Sequence, residues 1–249
     1  MNDKSISDVP LYTNLDRIAR GLSAHGIGAN DAIPPDQLFN LDQWHYYGID
    51  AIRAAADQLG LGSTSHVLDI GSGVGGPARY LAHTVGCRVT ALELQPKLNA
   101  IAVDLTHRSG LSGRITHILG DALAYPFASG QFDAVVSWLA ILHIPDRPRL
   151  LERLARALPS GGGCYVEDLS MRAPFAPDDW RDLHEVVFGV SVTSIEDYSK
   201  DMRAAGFTDV AVTDWASYAA ERLRLWRQNQ IAAIFGWRIS STTRLADME

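Results

Sequence analysis

Cysteine is scarce in this 249-residue chain: Cys87 and Cys164 are its two thiols. They lie far apart and fit neither a zinc spacing nor a disulfide framework, so both are expected as buried thiols in apolar strands. No stretch approaches the ~18 uninterrupted apolar residues that a membrane helix needs. No apolar run follows the opening Met1-Asn2-Asp3-Lys4 either, so no signal peptide is expected. Basic residues are in deficit, 22 Lys plus Arg against 29 Asp plus Glu, for a formal charge of −7. A broad nucleic-acid or anionic-membrane surface needs clustered Lys and Arg, so neither partner is expected, although a local basic patch stays open. Internal repeats and low-complexity tracts are absent. These deficits predict a soluble, cytoplasmic protein with no disulfide or metal staple.

The hydrophobic share, 47%, suits a full globular core. Length alone allows one or two domains, and α/β folds reach ~250 residues as one unit. Residues 1–60 read as a helical cap or lid, with 61–249 as the main domain. Leu11, Leu15, Ile18 and Leu22 recur at helical spacing, and Gly26-Ile27-Gly28 stops that helix. Residues 29–35 read as a loop in which Pro34-Pro35 bars helix. A second helix is expected over 48–59, with Ile52, Ala55, Ala56 and Leu59 inward.

From residue 66 strands and helices alternate. Strands are expected at 66–70, 88–94, 115–119, 132–139, 164–169 and 208–213, with helices between them. Residues 179–190 read as an inserted helix, and Ser194 with Asp197 as a helix cap. Residues 215–234 look helical, and 239–249 hold no convincing strand. Such alternation implies right-handed crossovers and an α/β fold: a doubly wound, mostly parallel Rossmann-like sheet with helices on both faces. Ligands in such sheets bind at the carboxyl ends of the strands.

The first strand runs into Gly71-Ser72-Gly73-Val74-Gly75-Gly76, and a helix follows. Glycine permits the sharp turn and close backbone approach, and the helix start offers free N–H groups. Gly71, Gly73 and Gly76 also satisfy the dinucleotide spacing, so a nicotinamide or flavin cofactor is a rival reading. Three acids favour S-adenosylmethionine. Asp69, two residues before the first glycine, suits a loop-organising carboxylate that attracts a cationic methionine moiety. Glu93 ends strand two, where an acid accepts ribose hydroxyls, a feature NAD sites share. Asp121, after strand three, suits a hydrogen bond from an adenine amino group. The extra acids Asp69 and Asp121, and the lack of a separate substrate domain, weigh against NAD.

The segments 67–82, 91–94 and 120–122, with 125–146, together resemble class I S-adenosylmethionine-dependent methyltransferases. The Gly-Gly-Pro-Ala-Arg-Tyr ending of the loop, residues 75–80, looks like small-molecule members such as the sarcosine/dimethylglycine, sterol and phosphoethanolamine enzymes. Asp42-Gln43-Trp44-His45 is similar to the lead-in of dimethylglycine-type enzymes. The resemblance implies S-adenosylmethionine as cofactor, S-adenosylhomocysteine as product and no metal. It extends the cofactor contacts to Gly71, Ser72, Gly73, Gly75, Leu94 and Ala122. The family usually ends in a seventh, antiparallel strand, which is not evident in this sequence.

Methyl transfer asks mainly for alignment and exclusion of water. His143, just past strand four, is the candidate base or orienting group, against a structural loop histidine as the plain alternative. Trp138 is expected as cofactor-pocket wall. Residues 42–47 are expected as a lid, Gln43 holding the methionine end and Trp44, His45, Tyr46 and Tyr47 supplying aromatic walls for a methylammonium. Glu167 and Asp168, ending strand five, are expected to face the same crevice and touch substrate. His184 and the Arg222, Arg224, Arg227 run read as solvated. The resulting expectation is transfer of a methyl group to a small molecule, at nitrogen, for example sarcosine or dimethylglycine. The alternatives are C- or O-methylation of a terpenoid or polyketide-like metabolite, and a catalytically silent adenosyl-ligand-binding regulator. A homodimer is open, because the C-terminal sheet edge is unassigned.

Overall fold

The computed structural model describes residues 15–171, 174, 177–213, 237–238 and 243–244. Leu11, the helix expected at 215–234 and the Arg222 to Arg227 run lie outside them. The elements in chain order are α1 (Asp16–Ala24), α2 (Pro35–Leu38), α3 (Gly48–Gln58), β1 (His66–Ile70), α4 (Gly76–Tyr80, continuing in wider turns over Leu81–Val85) and β2 (Arg88–Glu93). There follow α5 (Pro96–Arg108), β3 (Ile115–Leu119), β4 (Ala134–Trp138), a short turn of helix at Ile141–His143, α6 (Arg147–Ala157), β5 (Gly163–Glu167) and β6 (Leu169–Met171). The last are α7 (Pro177–Asp182, widening over Leu183–Val187), β7 (Thr193–Ser194), α8 (Ile195–Ala204), β8 (Trp237–Arg238) and β9 (Thr243–Arg244).

The main sheet has the order β3-β2-β1-β4-β5-β9. Its first five strands are parallel, as strands joined by crossover helices must be. The order reverses between β1 and β4, so the crevice at their carboxyl ends is where a ligand is expected. Successive strand residues point to opposite faces, and two cores result. Val67, Ala91, Val136 and Tyr165 pack against Ala51, Ile52 and Ala55 of α3 and Ala78 and Leu81 of α4. Leu68, Ile70, Val135, Cys164 and Val166 pack against Leu150, Leu151 and Leu154 of α6 and Tyr198 and Met202 of α8. Burial on both faces explains why these strands read as continuous apolar runs. A third cluster joins Ile18 and Leu22 of α1 and Leu38 of α2 to Val74 in the glycine loop and Leu98 of α5. The cap therefore sits directly on the loop.

Four expectations about elements are corrected. Pro35 does not bar helix but opens α2 at its first turn, where its missing N–H loses no hydrogen bond. The strand expected over 164–169 breaks at Asp168, whose side chain accepts the Leu169 N–H at 2.9 Å, and the chain passes from the main sheet to a small one of order β7-β6-β8. Residues 208–213 form no strand. Val210 is the one of them packed on the core and Val212 is exposed, so their alternation has no sheet partner among the described residues. The unassigned antiparallel edge strand is β9, with Thr243 opposite Cys164 and Arg244 opposite Gly163. Two paired residues give no readable period. The Ser194 cap forms as expected, its hydroxyl accepting the Asp197 N–H at 3.0 Å. Cys87 and Cys164 are buried free thiols, pushed up to about 11 and about 12, respectively, chiefly by burial. No helix among the described residues is long and apolar enough to cross a membrane.

Candidate active site

The glycine loop is folded by its contacts with β2 and β4. Gly71 and Ser72 donate their N–H groups to the Leu92 carbonyl at 2.9 and 3.1 Å. Gly71, Gly73 and Gly75 all have positive φ, a conformation that favours glycine. A Cβ on Gly71 would collide with the Cβ of Ala140, and one on Gly76 with the Asp42 carbonyl oxygen. Leu139, just past β4, is held at φ 53°, and its N–H donates to the Glu167 carbonyl at 2.7 Å. That strained residue brings Ala140 against the loop; such a backbone is sparsely populated outside glycine and clusters at functional sites.

Glu93 is buried, and its two carboxylate oxygens accept the Gly73 and Gln95 N–H groups, each at 2.8 Å. Burial raises its pKa, opposed by those backbone bonds. Asp69 is fully buried on the face that carries Val67, and neither of its oxygens has a hydrogen-bond partner among the described residues. Burial, then the Glu93 charge, pushes it up to about 8. A buried carboxylate without a partner is costly, and a ligand cation would remove that cost. Leu94 is 53% exposed immediately beyond Glu93. Asp121 is exposed, its carboxylate accepting the Leu123 N–H at 2.8 Å, and Ala122 is buried beside it. Asp69, the loop, Glu93, Leu94 and Asp121 thus line the ends of three adjacent strands.

Residues 42–47 cross this end of the sheet. Asp42 and Arg79 form a fully buried ion pair, with Arg79 Nε and Nη2 donating to Asp42 Oδ2 at 3.1 and 2.9 Å. Gln43 Nε2 donates to Asp42 Oδ1 at 2.8 Å, and Gln43 Oε1 lies 3.1 Å from His45 Nε2. His45 Nδ1 is 2.9 Å from Glu167 Oε2, both side chains being buried, while Glu167 Oε1 accepts the Tyr46 N–H at 3.1 Å. The His45 ring lies 5.1 Å from Trp138, which lies 5.3 Å from Tyr165.

The other aromatic residues of this segment separate. Trp44 packs with the α1 cluster, under the Arg17 guanidinium at 4.3 Å from its ring centroid. Tyr47 belongs to the α3–α4 core. Tyr46 bridges that core and a cluster of Leu142, Leu169, Leu183 and Val192 around the inserted helix. A run of six residues in turns and a helix start has no period of two, so its rings need not face one way.

Glu167 and Asp168 do not face the same crevice, which corrects that expectation. As neighbours at a strand end they point to opposite faces. Glu167 meets residues 45 and 46, whereas Asp168 turns to α8, where the Tyr198 hydroxyl donates to it at 3.3 Å. Burial pushes Asp168 up to about 7, against the Leu169 N–H bond and the Arg147 charge. Arg147 itself is held by Asp201 at 2.7 Å, by the Ser191 carbonyl and over the Tyr198 ring.

His143 ends the short turn of helix that follows β4. Its Nδ1 lies 2.9 Å from the Phe188 carbonyl oxygen, which only accepts, so Nδ1 carries the hydrogen. Neutral His143 therefore has its lone pair on Nε2. Burial lowers its pKa, partly offset by the Phe188 bond, favouring that neutral form. His184 is exposed, with its ring stacked on Trp180. Among the described residues no group of three or more His, Cys, Asp and Glu is arranged to hold a metal.

Residues 67–162 match the family model described as a methyltransferase domain. That stretch of the chain is similar to methyltransferase domains. A sarcosine/dimethylglycine N-methyltransferase of Halorhodospira halochloris is 32% identical over 171 residues, covering 66% of this chain and 61% of that one. A phosphoethanolamine N-methyltransferase 1 of Triticum aestivum is 28% identical over 167 residues, covering 67% of this chain and 33% of its own length. The match therefore spans between a third and three-fifths of these two relatives. Among solved structures, a geranyl diphosphate C-methyltransferase from Streptomyces coelicolor superposes with a TM-score of 0.73 at 15% identity, covering 85% of this chain and 82% of that one. At that identity the likeness concerns the fold alone.

The sequence reading missed Arg79, Ala140 and Phe188. Arg79 left a signal: it stands between Ala78 and Leu81 in a helix with no exposed residue from Gly76 to Ala82, where a cation needs a counter-charge, and Asp42 supplies it. Ala140 and Phe188 act through a methyl group and a backbone carbonyl, which no motif records.

Proposed function

We propose that the protein transfers the methyl group of S-adenosylmethionine to a small molecule, with an amine nitrogen as acceptor. The observation that carries this reading is Asp69: a fully buried carboxylate under the glycine loop with both oxygens unpartnered among the described residues. The ammonium of a methionine moiety is its chemical complement, and a nicotinamide dinucleotide would bring phosphates instead.

The residues present fit the cofactor. Asp69 would neutralise the ammonium, Glu93 would accept the ribose hydroxyls, and Asp121 would take the adenine amino group. Leu94 and Ala122 offer apolar surface to the base. Gly71, Ser72, Gly73 and Gly75 let the backbone approach, and Gln43 would hold the methionine end from the lid. When bound, S-adenosylmethionine supplies a methyl group activated by its sulfonium. The chain then has three tasks. Residues 42–47 exclude water by closing over the loop, which strengthens every polar contact inside. Trp138 and Tyr46 offer aromatic surface that suits a methylated ammonium. His143 Nε2 can receive the acceptor's proton, because Phe188 keeps the ring's hydrogen on Nδ1.

The first experiment is calorimetric titration with S-adenosylmethionine, S-adenosylhomocysteine and NAD, followed by an acceptor screen starting from methylated glycines. Tight binding of both adenosyl ligands and a methylated amine are expected. Binding of NAD alone would end the methyl-transfer reading. Adenosyl binding with no product from any acceptor would support a silent regulator. The second reading, C- or O-methylation of a terpenoid or polyketide-like metabolite, is favoured by the neutral His143, since carbon and hydroxyl acceptors need a base throughout.

A further inference from the structure

Five side chains form one hydrogen-bonded line from the glycine loop to the end of β5: Arg79, Asp42, Gln43, His45 and Glu167. Their donor and acceptor roles are not interchangeable. A guanidinium only donates and a carboxylate only accepts. Asp42 therefore draws the Gln43 amide nitrogen, at 2.8 Å, and the Gln43 oxygen is left facing His45 Nε2 at 3.1 Å. That oxygen accepts, so Nε2 carries a hydrogen. The Glu167 carboxylate likewise only accepts, so Nδ1, 2.9 Å from Oε2, carries a hydrogen too and the ring is held doubly protonated. Arg79 also holds the Val74 carbonyl at 2.6 Å, the Ala102 carbonyl at 3.3 Å and the Thr106 hydroxyl at 3.2 Å. One guanidinium thus ties the glycine loop, α5 and the lid together.

We propose that Arg79 is a positioning residue that, acting through Asp42 and Gln43, keeps His45 protonated on Nε2 as well as Nδ1 and so latches residues 42–47 onto Glu167 at the substrate end of the crevice. The consequence for cofactor binding rests on the methyl-transfer reading, whereas the protonation of His45 does not. Losing the latch lowers the fraction of closed chain, and affinity falls by that fraction.

The test uses the full chain with nitrogen-15-labelled histidine, the His45 resonances being assigned by their loss in His45→Gln. The wild type is expected to show a protonated Nε2. Asp42→Asn can donate its amide to the Gln43 oxygen, turning the Gln43 nitrogen toward His45, so Nε2 should give up its hydrogen to solvent and leave a neutral ring protonated on Nδ1. S-Adenosylhomocysteine should then bind about tenfold more weakly, as for one lost charge-assisted hydrogen bond. Arg79→Lys keeps the charge and should retain the wild-type protonation of His45. Because Asp42→Asn leaves Arg79 without its counter-charge, Gln43→Met serves as the second variant. It spares the ion pair, removes the acceptor, and should release the Nε2 preference in a chain of unchanged melting behaviour. Wild-type nitrogen shifts for His45 in Gln43→Met would overturn the proposal, as would the same result in a folded Asp42→Asn. Loss of the Nε2 hydrogen as expected, in a chain that never binds S-adenosylhomocysteine, would uphold the latch and overturn the methyl-transfer reading instead.

Discussion

Replacing Asp69 by asparagine should stabilise the protein in alkaline solution while weakening its cofactor site. The folded chain holds the Asp69 proton up to about 8, through burial and then the Glu93 charge, whereas an unfolded aspartate releases it near 4. Between those values the unfolded state binds fewer protons, so this group's contribution is full below about pH 4 and declines as pH rises toward 8. Each pH unit in that window is worth about 1.4 kcal/mol. From pH 5 to 8 the wild type should therefore lose about 4 kcal/mol relative to Asp69→Asn, an upper bound set by full burial. Asp42, Glu93 and Asp168 are also raised, but they occur in both chains and largely cancel in the difference. Urea unfolding of both proteins at pH 5, 6, 7 and 8 measures it. A difference that stays flat within about 1 kcal/mol would mean that Asp69 is ionised in the folded chain, and the argument for an unpaired carboxylate awaiting a cation would fail.

Glu93→Gln keeps the shape but leaves an amide nitrogen against one of two N–H donors, so S-adenosylhomocysteine affinity should drop about 10- to 100-fold by calorimetry. His143→Gln should lower kcat far more than it changes KM. In the wild type, the acid limb of kcat should lie below the ordinary histidine value, because burial lowers His143, and the variant should lack that limb. Gly76→Ala forces a methyl group into the Asp42 carbonyl and should cost about 1–3 kcal/mol in urea unfolding, with faster amide exchange over residues 42–47 than elsewhere.

The parallel sheet was legible because each strand is buried on both faces and bounded by a glycine or helix signal. The β1–glycine loop–α4 unit shows this best: the run at 66–70, the loop and Pro77 all appear where the pattern puts them. What escaped the reading depends on partners remote in sequence. Thr243–Arg244 is a strand because Gly163 and Cys164 offer an edge, and the segment at 208–213 is not one because no edge among the described residues meets it. Strand-end geometry was likewise partly hidden. Adjacent acids invite the assumption of a shared site, and the alternation that separates Glu167 from Asp168 settles the matter only once both ends of β5 are known.

The glycine loop and its acids were read as a cofactor site, and the six-residue lead-in as a separate lid. The buried ion pair joins them. Burying Arg79 and Asp42 stabilises the fold weakly, if at all, against an apolar pair of equal size. Its retention at zero exposure is better explained by direction than by strength. On the proposed latch, the charge pair fixes which way Gln43 faces, and through it whether Nε2 of His45 is protonated, whereas an apolar pair would leave both free. The polar line then transmits the position of the loop, held by Arg79 at the Val74 carbonyl, to a carboxylate 88 residues further along the chain. Loop and lid are in this sense one site, built across the crevice that the sheet topology had already marked.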